Sequence, residues 1–145
     1  MLISRYLATF DWKSQIKAYR QTYAERRDTM LTALGELMPE GTNWTRPDGG
    51  FYVWMTLPEG FDAAAMLPRA VTARVAYVPG NAFYADGLCT RQLRLSYCFT
   101  TPERITEGIR RLAGVLSGEL EVMRTFGTGA SHPISGPSSP APDTA

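Results

Sequence analysis

From Gln92 to Phe99 the side chains alternate without a break, with Leu93, Leu95, Tyr97 and Phe99 on one side and Gln92, Arg94, Ser96 and Cys98 on the other. That period of two belongs to a half-buried β-strand. It demands a second layer against the apolar side, and it fixes Arg94, a planar cation with five donors, on the opposite side of a rigid element. An arginine held this way meets an anion, which is either a carboxylate of its own domain or one carried by a ligand.

Helical periodicity governs what comes before. Ile3, Tyr6, Leu7 and Phe10 fall at the spacing of a short amphipathic helix. A longer helix is expected from Trp12, with Asp11 as its N-cap and Ile16, Tyr19, Tyr23, Met30, Leu34 and Leu37 as its apolar stripe, ended by Pro39 and Gly41. The period then changes. Segments 42–46 and 51–57 are rich in aromatic and β-branched residues and flank Pro47-Asp48-Gly49-Gly50, which reads as a hairpin whose second strand carries core aromatics. Asp62 caps a helix reaching about Ala73, kinked or shortened by Pro68. Val75–Val78 reads as a short buried strand, and a loop from Asn81 to Arg91 leads to the Arg94 strand. A last helix begins at Thr100 or Thr101, with Pro102 and Glu103 in its first turn. Ile105, Ile109, Leu112 and Leu116 form its buried stripe, and Gly108, Gly114 and Gly118 mark close packing. From Gly127 onward 16 of 19 residues are Gly, Pro, Ser, Thr or Ala, a composition expected to stay disordered. The order of elements predicts an α+β fold, a small mixed or antiparallel sheet with helices on one face.

Composition removes whole classes of function. At 145 residues the chain has room for one domain, and 15 basic against 14 acidic groups give no field that would draw it onto nucleic acid or an anionic membrane. No apolar run approaches the ~20 residues of a membrane span, and two cysteines without paired spacing fit a reducing, cytoplasmic setting. His132, the one histidine, lies in the tail, so a Ser-His or Cys-His nucleophile has no base and a histidine-ligated metal has no site. Ser14-x-x-Lys17 lacks companion motifs, and Gly49-Gly50 lacks the spacing of a phosphate cradle. Asp48, Glu59, Asp62 and Asp86 fall in turns or caps, where solvated or capping roles are the default. Thirteen of the basic residues are Arg, and Lys13 and Lys17 are the only lysines. No catalytic residue emerges from this inventory.

Four segments in order, 44–58 (WTRPDGGFYVWMTLP), 75–83 (VAYVPGNAF), 93–97 (LRLSY) and 107–112 (EGIRRL), resemble the C-terminal domain of fold-type I pyridoxal-phosphate aminotransferases, in particular 2-aminoadipate aminotransferases. MocR-type transcription regulators share the likeness. The resemblance implies that Arg94 grips the α-carboxylate of an amino-acid or 2-oxo-acid substrate through two parallel charge-assisted bonds, each worth about 1.5–3 kcal/mol. It implies that Phe83 lies near the active-site mouth and touches substrate. Pyridoxal 5'-phosphate would be held by a lysine, an aspartate and a phosphate site on a large domain preceding this segment, neither Lys13 nor Lys17 being the anchor by position. Residues 1–11 would end an interdomain helix, 12–124 would form the small domain and 125–145 the disordered tail. A cytoplasmic homodimer is expected of the whole enzyme, and no activity of this chain alone. The alternatives are the effector-binding half of a MocR-type regulator or a truncated gene product.

Overall fold

The computed structural model describes residues 2–85 and 87–127. Helix α1 spans Leu2–Thr9 and α2 spans Trp12–Leu37. The Asp11 carboxylate accepts from the Ser14 N–H at 3.1 Å, which satisfies one of the donors a helix start leaves open and holds the carboxyl below the usual carboxylate range. Strands β1 (Asn43–Trp44) and β2 (Tyr52–Thr56) follow, then α3 (Ala63–Thr72), β3 (Val78–Pro79), a 3₁₀ turn over Gly80–Phe83, β4 (Gln92–Ser96) and α4 (Pro102–Gly127). All strand pairs are antiparallel, in the order β1-β2-β4-β3, so Arg94 stands on an inner strand with Trp54 opposite on one side and Val78 on the other.

The pleat sorts the sheet into two unlike faces. Val53 and Met55 of β2 and Leu93 and Leu95 of β4 are buried against Met30 and Leu34 of α2, Met66 and Ala70 of α3, and the Ile105, Ile109, Leu112 and Leu116 stripe of α4. Each large apolar side chain removed from water here contributes about 1.5–3 kcal/mol. Tyr52, Trp54, Thr56, Gln92, Arg94 and Ser96 point the other way, and none of them is buried. The helices α2, α3 and α4 therefore cover one face, and among the described residues no α-helix lies over the face that carries Arg94.

Several local expectations are corrected. Phe99 does not continue the apolar side of β4: the strand ends at Ser96, Tyr97 is the last core residue, and Phe99 is 95% exposed. Strand β3 begins at Val78 rather than Val75, because Arg74 adopts a left-handed backbone (φ 61°) after the end of α3 and Val75–Tyr77 approach the sheet as irregular chain. The first strand of the hairpin shrinks to two residues; beyond it the Thr45 hydroxyl accepts from the Trp54 N–H at 3.1 Å in place of a ladder carbonyl. Pro68 sits inside α3, which runs on uninterrupted, while Asp62 caps it by accepting from Ala64 and Ala65. Ile16 and Tyr19 stay exposed, as do Ile3, Leu7 and Phe10 of the preceding segment, so only the second half of α2 feeds the core. Gly114 and Gly118 have no neighbour within 4 Å of a built Cβ, and Gly108 has only Val75 at 4.0 Å, so these glycines do not mark close packing. Helix α4 passes residue 124 and ends at Gly127; Asp86, His132 and the remaining tail lie outside the described residues.

Candidate functional site

The open face of the sheet converges on Arg94. Its guanidinium carbon lies 3.9 Å from the centroid of the Tyr52 ring and 4.5 Å from that of Phe83. Tyr52 comes from β2, two residues along from Trp54, the cross-strand partner of Arg94, which is the diagonal neighbour that long side chains can reach. Phe83 comes from the 3₁₀ turn after β3, and its ring meets Trp54 edge-on at 5.1 Å. Gly80 makes that approach possible: a Cβ there would stand 2.8 Å from the carbonyl oxygen of Gln92, so only glycine lets the turn lie flat against β4. Ring contact with a guanidinium contributes about 0.5–2 kcal/mol and leaves its in-plane N–H groups free to bond. Among the described residues the Arg94 side chain makes no hydrogen bond and no ion pair, so the alternative of a carboxylate from its own domain finds no partner there.

Beside the arginine, sharing Trp54 as a wall, lies a cavity of about 330 Å³ lined by Asn43, Thr45, Thr56, Tyr84 and Gln92 together with Trp44. The Tyr84 hydroxyl donates to Gln92 Oε1 at 2.9 Å. The lining contains hydroxyls and amides but no charged side chain, so Arg94 is next to the cavity and not inside it.

The structure brings together Arg94 and Phe83, the two residues that the sequence reading named separately as substrate contacts. It adds Tyr52 and Trp54, which that reading assigned to the core. The signal was available: Val53, Met55 and Leu57 alternate with Tyr52, Trp54 and Thr56, and the first set takes the same side as Leu93 and Leu95. The aromatic weight of the segment drew attention to burial, whereas the period assigns those rings to the opposite face.

The chain belongs to the aminotransferase class I and II family, whose model matches residues 4–112. It is 50% identical over 99 residues to aromatic-amino-acid aminotransferase 1 of Thermococcus litoralis, covering 68% of this chain and 24% of that protein. It is 40% identical over 112 residues to 2-aminoadipate transaminase of Thermus thermophilus, covering 77% of this chain and 28% of that enzyme. Among solved structures it superposes on the α-aminoadipate aminotransferase of Thermus thermophilus, complexed with N-(5'-phosphopyridoxyl)-L-leucine, with a TM-score of 0.76 and 40% identity over 80% of this chain and 30% of that one. A more distant relative, 25% identical over 115 residues, covering 79% of this chain and 25% of that protein, is the uncharacterized HTH-type transcriptional regulator YdcR of Escherichia coli. The chain thus spans about a quarter of the length of the curated relatives it matches.

Pyridoxal 5'-phosphate is the cofactor of this family, and the residues described do not fit its anchorage. Lys13 and Lys17 are exposed on α2, the former with its ammonium over the Trp12 ring, and neither belongs to the Arg94 face. Among the described residues no acidic side chain lies beside Arg94 to engage a pyridinium nitrogen, and no group of three or more His, Cys, Asp or Glu side chains is placed to hold a metal.

Proposed function

We propose that this chain is the substrate-carboxylate-binding part of a pyridoxal-phosphate-dependent aminotransferase that moves an amino group between an amino acid and a 2-oxo acid. The observation that carries this reading is Arg94, held on an inner strand between the rings of Tyr52 and Phe83 with its in-plane donors unspent among the described residues. Both substrates of a transamination carry the same α-carboxylate, so one fixed guanidinium fork orients either of them. Phe83, 4.5 Å from that guanidinium, contacts the bound substrate at the edge of the site. The amine that carries the cofactor is supplied from outside these 145 residues, and two such proteins form a cytoplasmic homodimer.

The test is Arg94→Lys in the whole-length protein. Lysine keeps the charge but loses the second parallel bond, so kcat/KM for the amino acid and for the 2-oxo acid falls by the same factor, about 10- to 100-fold, while the thermal midpoint stays put. Unchanged kcat/KM for both substrates would refute the assignment.

The likeness to the YdcR regulator supports a second reading, in which the same face binds an effector for a transcription factor. Sequencing the DNA upstream in the same frame separates the two: a winged helix-turn-helix favours the regulator, a lysine-bearing cofactor domain alone favours the enzyme.

A further inference from the structure

A second cleft opens on the other side of Arg94's strand, and its origin is the shortness of β3. Val78 pairs with Arg94 and Pro79 with Leu93, so Tyr77 and Ala76 would be next in register opposite Leu95 and Ser96; instead the left-handed turn at Arg74 carries residues 74–77 away from the sheet. The gap becomes a cavity of about 350 Å³ between this connection, the end of β4 and the first turns of α4. Its floor is apolar, with Met30, Leu95, Ile105 and Ile109, and its rim carries Arg74, Arg104 and Arg111. Against these three guanidinium groups the lining holds one carboxylate, Glu107, which is bonded to Arg111 Nε at 2.8 Å and also to Arg110. Arg74 and Arg104 make no ion pair or side-chain hydrogen bond among the described residues. The positive character does not come from the start of α4: Pro102 has no N–H, and Glu103 already occupies that end, its carboxyl lowered by its own backbone N–H and by the Thr101 hydroxyl.

We infer that this cleft is a binding site for a small organic acid with an apolar tail, the carboxylate meeting Arg74 and Arg104 and the tail reaching the floor beneath. A cavity of this size is ordinary for a small-molecule site, and an apolar base with a few convergent polar groups is the usual composition. Each guanidinium offers a planar fork for a carboxylate. The two rim cations come from opposite walls, Arg74 from the α3–β3 connection and Arg104 from α4, so an anion between them ties the two elements together. The site is separate from the Arg94 face and does not depend on the function proposed for it.

Hexanoate is the probe, titrated into the 15N-labelled full chain. Saturable shifts are expected at the amides of Ala76, Ser96 and Gly108, weakening as NaCl rises from low to high concentration. Acetate, which has the head alone, and hexan-1-ol, which has the tail alone, each bind at least tenfold more weakly. The double variant Arg74→Gln/Arg104→Gln, altering two exposed side chains, keeps the amide spectrum of a folded chain and loses at least tenfold in affinity for hexanoate. Arg94→Gln leaves that affinity unchanged. The inference is overturned if shifts centre on Tyr52, Phe83 and Arg94, if hexan-1-ol or acetate binds as tightly, or if the Arg74/Arg104 double variant retains its affinity.

Discussion

Tyr77 illustrates how one side chain ties two elements and records it in a titration. Its ring is buried and its hydroxyl donates to the Ala63 carbonyl at 2.6 Å, which fastens the chain entering β3 to the first turn of α3. Burial, followed by the Asp62 carboxylate, pushes the phenol above the ordinary tyrosine value of about 10. Below that pH both folded and unfolded chains keep the proton and the contribution is complete; above it the unfolded chain releases its proton first, so stability falls as pH rises. Urea unfolding at pH 9 and pH 11 should therefore show a steeper alkaline loss in the wild type than in Tyr77→Phe, and the variant should lose about 0.5–1.5 kcal/mol at neutral pH from the hydrogen bond. Equal alkaline slopes would remove the buried hydroxyl from the explanation. Arg94 is the opposite kind of residue, one whose side-chain donors are left open among the described residues, and its place on the face away from the core was readable from the alternation of residues 92–97. The rings that flank it were missed, because the aromatic content of residues 51–57 argued for burial, although their alternation with Val53, Met55 and Leu57 sets Tyr52 and Trp54 on the other face.

At the scale of elements, glycines that look alike in the sequence act in opposite ways. Gly80 lies against the backbone of β4, where an added Cβ would sit 2.8 Å from both the Cβ and the carbonyl oxygen of Gln92, while Gly35 in the last turn of α2 has nothing within 4 Å. Gly80→Ala should cost about 1–3 kcal/mol by forcing the 3₁₀ turn off the strand, and Gly35→Ala should add about 0.5–1 kcal/mol through helix propensity. Denaturant midpoints of the two variants check this, and shifts in the same direction would contradict it. The caps at Asp11 and Asp62 and the stripe of α4 were legible because they depend on residues three or four apart. The reach of β3 and the exposure of Phe99 were not, since both follow from where a neighbouring segment turns away. The half-used stripe of α2 has the same cause: Ile16 and Tyr19 have the spacing of core residues, but no described element packs over them.

The whole molecule is a sheet with its helices on one side and a cationic, aromatic face on the other, with its lysines on α2 away from that face. Incubated with pyridoxal phosphate and an amino acid, the purified chain should therefore form no 2-oxo acid beyond a single turnover; sustained production would show that an amine within these 145 residues performs the cofactor chemistry. The α+β class and the single sheet were legible because the period of the apolar residues changes at Pro39–Gly41 and again after Thr100. The Arg74–Arg104 cleft was not, because it gathers residues from four segments that no local pattern links. The placement of Arg94 also bears on how faithfully the chain folds. Slipping β4 by one residue against its neighbours would turn the guanidinium inward, among Met30, Leu34 and Ile109, and put Leu93 and Leu95 in water. An unpaired charge in that interior costs several kcal/mol, so the out-of-register sheet rejects itself. The residue whose side-chain donors stay open among the described residues is thereby also the proofreader of its own strand.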